Sequence, residues 1–309
     1  MTSPELRIRW RSGAPSQFSP SPPAIQVHTV APNTIILRQS ISDHFEAPFL
    51  YLLLGEDRAL LLDTGATADS SRFPLRKTVD SLLESWLLEH PKDGYELIVA
   101  HSHAHHDHIA ADWQFLERPM TRIVGHNPDD VAEFFGLSSW PHGTAKLDLG
   151  CRLLEIIPTP GHHPSAITFY DYTTGLLLTG DTIYPGRLYA FDFPAFVESL
   201  QKLCTFSQSN KVEAVLGAHI EMSTKPHKDY PRGSTWHPNE TQLHLTVQDL
   251  HAIRDAAVQV APKPGAHRFE NFIIWNGPCR WEAAVHRVRL LAVTTRKTLS
   301  IRAFRRARA

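Results

Sequence analysis

The chain has 309 residues, 42% of them hydrophobic and 20% charged, which is ordinary for a globular protein and long enough to bury a substantial core. A formal net charge of -1 gives no overall field to draw in nucleic acid or an anionic membrane surface, and no stretch is apolar and uncharged for long enough to span a bilayer. The opening MTSPELRIRWRSGAPSQFSPSPP lacks the apolar core of a secretory signal, so a cytoplasmic location is expected.

Residues 1–23, rich in Ser and Pro with no apolar period, read as a flexible or extended arm. From Ala24 the runs AIQVHTV, TIILRQ, FLYLLLG and RALLLDTG, broken by turn residues, predict an antiparallel meander. Val79, Leu82, Leu83, Trp86 and Leu87 fall at helical spacing within Pro74 to His90, and the strand YELIVAHSH follows. A short helix near Ile109 to Leu116, the strand TRIVGH and a helix near Asp129 to Phe135 come next. CRLLEIIPTPGHH reads as strand and loop, and AITFYDYTTGLLLTGD as a hairpin about Thr-Thr-Gly. The chain continues with a helix over Pro194 to Phe206, the strand KVEAVLGAH, a long helix over Glu240 to Val260 and a final strand HRFENFIIW. Strands followed by helices, twice over, predict an α/β fold: an αββα sandwich of two mixed sheets with flanking helices, occupying 24–279.

From Arg280 to the end, nine Lys or Arg stand against one Glu. This basic tail, 280–309, is read as a solvated helix or tail rather than a nucleic-acid or membrane contact. Cys151, Cys204 and Cys279 are odd in number, far apart and without a C-x-x-C pair, so they are read as small buried hydrophobes, not as disulfides or thiolate ligands.

The 19 histidines are the unusual feature, and several crowd into HSHAHHDH. Leaving a strand in extended conformation, His103 and His105 can face one metal together. Asp107 and His108, at a helix start, can face a neighbouring position. Imidazole nitrogen with carboxylate oxygen and no thiolate suits a catalytic site rather than a closed structural one. One short run cannot surround two ions, and three further candidates close apolar strands elsewhere: His162 in TPGHH, Asp181 in LLLTGD and His219 in AVLGAH.

Taken in order, LLDTG, SHAHHDH, TPGHH, LTGD and LGAH resemble the five motifs of the metallo-β-lactamase superfamily, over roughly Ile25 to Asn276. The resemblance implies that His103, His105 and His162 hold a first metal, that Asp107, His108 and His219 hold a second, and that Asp181 bridges them. Asp63 of LLDTG would orient a ligand without binding metal. Two divalent ions, zinc above all, with manganese, iron or cobalt also suited to these donors, would lie about 3.5–4 Å apart and lower the pKa of a shared water. The resulting bridging hydroxide would attack the electrophile, with Asp107 or a metal-bound water handling the departing proton.

His101, His106 and His163 flank the ligand positions and are read as supporting or surface groups, and His126, His142, His227 and His237 as loop residues. Tyr184, three residues beyond Asp181, matches the placement of the carbonyl-orienting tyrosine of lactonases in this superfamily. Trp140, Phe191 and Phe193 either line an apolar pocket or pack. The bridging Asp181 argues against a true β-lactamase. The absence of a tyrosine soon after His219, where IEMSTKPHKDYP stands, argues against glutathione thioester cleavage. His163 and Pro164, in the family's place for Thr or Ser, are expected to reshape the pocket. What remains is a small-molecule ester, lactone or thioester hydrolase, lactone slightly ahead because of Tyr184. The alternatives are a mononuclear iron dioxygenase acting on persulfides, or a non-catalytic binding protein of the same fold. Residues 222–240, dense in Pro, Lys and His, are expected to form a lid or rim.

Overall fold

The computed structural model describes residues 4–15 and 22–278. Cys279 and the basic stretch 280–309 lie outside the described residues.

In chain order the elements are β1 (Ile25–Ala31), β2 (Thr34–Gln39), β3 (Phe49–Leu54), β4 (Arg58–Leu62), α1 (Leu75–Glu89), β5 (Glu96–Ala100), α2 (His106–Ile109), a 3-10 turn Asp112–Phe115, β6 (Thr121–Ile123) and α3 (Pro128–Phe135). The second half holds β7 (Ala145–Asp148), β8 (Leu153–Pro158), β9 (Ile167–Asp171), β10 (Leu176–Gly180), β11 (Arg187–Tyr189), α4 (Phe193–Ser209), β12 (Ala214–Gly217), β13 (His244–Leu245), α5 (Val247–Val260), β14 (Ala266–Arg268) and β15 (Ile273–Trp275). One sheet runs β1-β2-β3-β4-β5-β6, antiparallel as far as β4 and parallel from there. The other runs β13-β12-β10-β9-β8-β7, with only the β10–β12 pair parallel. A small third sheet joins β11, β15 and β14.

Strand periodicity explains the layering. Along β4, Leu60 and Leu62 enter the core between the two sheets while Ala59 and Leu61 face α1. Along β10, Leu176 and Leu178 enter that same central core while Leu177 packs under α4 and α5. Both faces of each central strand are therefore buried, which is why these strands read as unbroken apolar runs and require helices outside. The result is the αββα sandwich expected from the pattern.

Four expectations are corrected. Residues 240–246 are not helical, because His244 and Leu245 pair with β12, and α5 starts only after a Thr246–Asp249 capping box. HRFENFIIW is a hairpin of two strands, not one, turning between Phe269 and Phe272. The arm is not free over its described part, since Ile8 and Trp10 are 8% and 7% exposed and belong to the central core. Cys151 is exposed at a positive-φ position in the β7–β8 turn, whereas Cys204 is buried as expected. No helix among the described residues is long and apolar enough to cross a membrane.

Candidate metal centre

All seven candidate ligands converge where strands of both sheets end. His103, His105, Asp107 and His108 follow β5, His162 follows β8, Asp181 follows β10 and His219 follows β12. They form two groups: His103 with His105 and His162, and Asp107 with His108, Asp181 and His219. Within each group one potential donor atom per residue lies within 4.8 Å of all the others.

Glycine makes the closest approach possible. Gly180 has φ +52°, and a Cβ there would sit 2.4 Å from the Ser102 Cβ, so only glycine lets Asp181 come down beside the β5 loop. Asp63 also has positive φ, 69°, at the sharp turn after β4, a conformation a short polar side chain tolerates.

Four of the histidines have a ring nitrogen satisfied from behind. His108 Nδ1 donates to Asp63 Oδ2 at 2.8 Å, His162 Nδ1 to the Tyr189 carbonyl at 2.7 Å and His219 Nδ1 to the Glu46 carbonyl at 2.9 Å. His103 Nδ1 lies 3.2 Å from Ser102 Oγ, whose own proton goes to Asp63 Oδ2. Each Nε2 is thereby turned inward, the orientation of metal-ligating imidazoles. Asp63, the residue expected to orient a ligand, accepts from His108 Nδ1 and from the Ser102 backbone N–H. The Tyr189 and Glu46 carbonyls were missed by sequence reasoning, since a main-chain oxygen leaves no signature.

The donors fit a cation and fit poorly with one another. The Nε2 atoms of His103 and His162 each lie 2.9 Å from His105 Nδ1, which carries at most one proton for two lone pairs. In the second group, His108 Nε2 and Asp181 Oδ1 are buried with no hydrogen-bond partner, 3.5 Å apart. His219 Nε2 is 3.2 Å from both Asp107 Oδ2 and Asp181 Oδ1.

The electrostatics divide the same way. Burial pushes His103, His105 and His162 below the ordinary imidazole value, keeping them neutral. Burial alone would raise Asp107 and Asp181, but the neighbouring His108 and His219 outweigh it and hold both carboxyls below their usual range. Burial would likewise lower His108 and His219, and the surrounding carboxylates raise them instead.

Of the flanking histidines, His106 is exposed and His163 is half-buried against His105, where burial takes it down to about 4. The Nε2 atoms of His101 and His126 each meet a carboxylate oxygen of Asp112 at 2.8 Å. Asp112 also accepts from Thr64 Oγ1, so this trio braces the turn after α2 from behind.

A pocket of about 170 Å³ opens over His105, Asp107, His162, Asp181 and His219. Phe191 is 64% exposed on its wall, whereas Trp140 packs against the central core and Phe193 against the α4 side. Tyr184 borders the pocket, but its hydroxyl donates to the Arg187 carbonyl and its ring packs edge-on to His219. Of residues 222–240, Arg232 borders the pocket, and the segment is tied to the body of the fold at several points. Glu240 holds both terminal nitrogens of Arg38 at 2.6 Å, the Tyr230 ring stacks 4.0 Å from His237, and Gly13 bridges to Trp236.

The chain is similar to several known proteins. The hydroxyacylglutathione hydrolase of Chelativorans sp. is 31% identical over 146 residues, 45% of this chain and 56% of that one. That of Bartonella tribocorum is 27% identical over 182 residues, 57% and 69% of the two chains. The one from Mesorhizobium japonicum is 30% identical over 114 residues, 36% and 44% of the two chains. The chain thus spans about half the length of the first curated relatives it matches. Among solved structures, a metallo-beta-lactamase from Pontibacter korlensis aligns with a TM-score of 0.45 and 15% identity over 63% of this chain and 91% of that one. The sequence profile of one family matches residues 46–229, more than half of the chain and the span holding all seven clustered side chains, and by that match the chain belongs to the metallo-beta-lactamase superfamily.

Proposed function

We propose that this protein is a binuclear metal-dependent hydrolase that cleaves an ester, lactone or thioester bond of a small molecule. The observation that carries the reading is the inward set of Nε2 atoms on His103, His108, His162 and His219, each oriented by a contact on the opposite ring nitrogen. His103, His105 and His162 would hold one divalent ion and Asp107, His108 and His219 the other, with Asp181 shared between them. Imidazole and carboxylate donors without thiolate suit zinc best and admit manganese, iron or cobalt. When bound, such ions supply an activated water and polarise the scissile group.

The chain's own residues do the rest. Asp107, which lines the pocket, would handle the proton of the departing group. Phe45 and Tyr189 add aromatic surface to the pocket lining. A cavity of about 170 Å³ favours a short substrate, since common small-molecule pockets run to roughly 300–1,000 Å³. The hydrogen bond from Tyr184 to the Arg187 carbonyl removes the preference for lactones, and the hydroxyacylglutathione hydrolase relatives bring thioesters level with esters. A cytoplasmic place of action belongs to the same reading.

The test is hydrolysis of a lactone, an aryl ester, a thioester, a β-lactam and a phosphodiester by purified protein, each with a metal-stripped control. Metal-dependent cleavage of one of the first three is the expected result. Silence across the panel from protein carrying two metal equivalents would overturn the proposal in favour of a dioxygenase or a binding protein.

A further inference from the structure

The acids around the pocket rim are almost all engaged. Glu221 holds Arg187 Nη1 at 2.7 Å and the Arg187 backbone N–H at 2.6 Å. Asp229 holds Arg187 Nε at 2.9 Å and Arg268 Nη1 at 2.6 Å. Arg232 borders the same pocket as His105, Asp107 and Asp181, is exposed, and makes no ion pair or side-chain hydrogen bond among the described residues. Glu46, the remaining carboxylate of the wall, lies beside His44 at 3.6 Å; it is near enough to feel the charge of Arg232 but makes no direct ion pair with it.

The turn that carries Arg232 is anchored on both sides. Arg187 grips the Tyr230 carbonyl, the Tyr230 ring stacks on His237, and the Ser234 N–H closes onto the Pro231 carbonyl at 3.0 Å. An unpaired guanidinium on a fixed base, facing a cavity whose floor handles an acyl group, is a receptor without its anion. Its planar fork matches a carboxylate through two parallel N–H···O bonds, stronger than neutral hydrogen bonds. Glu46 and Glu221 share the wall and would repel a dianionic phosphate more than a singly charged carboxylate.

We infer that Arg232 is the substrate-recognition residue of this pocket and that the substrate is a short acyl compound bearing a free carboxylate at the end away from the scissile bond. The inference rests on the hydrolase reading for what happens at the floor, while the recognition itself is measurable without turnover. Hydrolysis of such a substrate releases a dicarboxylate, so the paired probes are glutarate and butyrate, titrated calorimetrically into metal-loaded protein. Glutarate is expected to bind about tenfold more tightly than butyrate, the size of one charge-assisted contact. The preference should shrink as salt is added. Arg232→Ala and Arg232→Met should abolish it, and Arg232→Lys should keep part of it. Because Arg232 is exposed, these variants are expected to fold, and unchanged butyrate affinity verifies that. In parallel, 4-nitrophenyl butyrate and the mono-4-nitrophenyl ester of glutarate separate the two ideas: Arg232→Ala should raise KM for the charged ester alone. Equal affinity of wild type for the two acids, or a preference that survives Arg232→Ala, overturns the inference. A glutarate preference in protein that cleaves no ester, lactone or thioester leaves the recognition standing and sinks the hydrolase reading.

Discussion

The floor of the pocket and its rim are built in opposite ways. The floor is a set of side chains at the ends of β5, β8, β10 and β12, held by the packing of two sheets. The rim, residues 222–240, has almost no regular structure and is held by ion pairs: Arg38 with Glu240, and Arg187 with Asp229. Sheets position a few atoms to within tenths of an ångström and resist change. A strap tied by charges is easier to rebuild, and it is where specificity collects on a rigid scaffold.

The sharpest way to break this contrast is at the floor. Asp181→Ala removes the one side chain that both groups would share, and metal content together with kcat/KM should fall by more than roughly a hundredfold, beyond the cost of an outer-shell partner. Unchanged metal stoichiometry in that variant would contradict the two-group reading. Asp63→Asn frees His108 and Ser102 from their common acceptor and should weaken metal retention by about 10–100-fold in a chelator competition.

At the rim the expected effect is on stability. Glu240→Gln leaves the buried Arg38 uncompensated and should cost about 3 kcal/mol in denaturant unfolding. Burial by itself would raise the Glu240 carboxyl, but Arg38 and His237 hold it below its ordinary 4.5. Its folded value is therefore depressed, and its contribution is complete above about pH 4.5 and lost as pH falls through the folded value. The wild type should consequently lose more stability than Glu240→Gln between pH 5 and about 3.

Two smaller changes finish the series. Tyr184→Phe deletes a hydroxyl already spent on the Arg187 carbonyl, so about 1 kcal/mol of stability should go while kcat stays within about twofold. A large fall in kcat would restore the carbonyl-orienting role. His106→Ala, at an exposed position, should leave kcat/KM within about twofold, measured on whichever substrate the panel identifies.

The two regions also differed in how far they could be read from the amino acids. Every floor residue closes an apolar run in a recognisable motif, so the sequence placed His162, Asp181 and His219 beside a cluster more than fifty residues away. The layers followed from strands apolar on both faces, such as β4 and β10. Just past the rim, Leu243 and Leu250 stand seven residues apart and imitate a helical period, although His244 and Leu245 pair with β12. Thr246 and Asp249, a capping signature, carried the better boundary. Short strands such as β7 and β11 offered too few residues for a period to show. The unpaired state of Arg232 depends on which acids the fold spends elsewhere, and no window of sequence contains that.

The main-chain braces bear on how such a protein changes over generations. His162 leans on the carbonyl of Tyr189 and His219 on that of Glu46, and both of those residues present their side chains to the pocket. Replacing either side chain alters what the cavity accepts while the peptide oxygen behind the imidazole stays in place. Descendants can therefore vary Tyr189 and Glu46, and with them the shape of the cavity, and still inherit the orientation of His162 and His219.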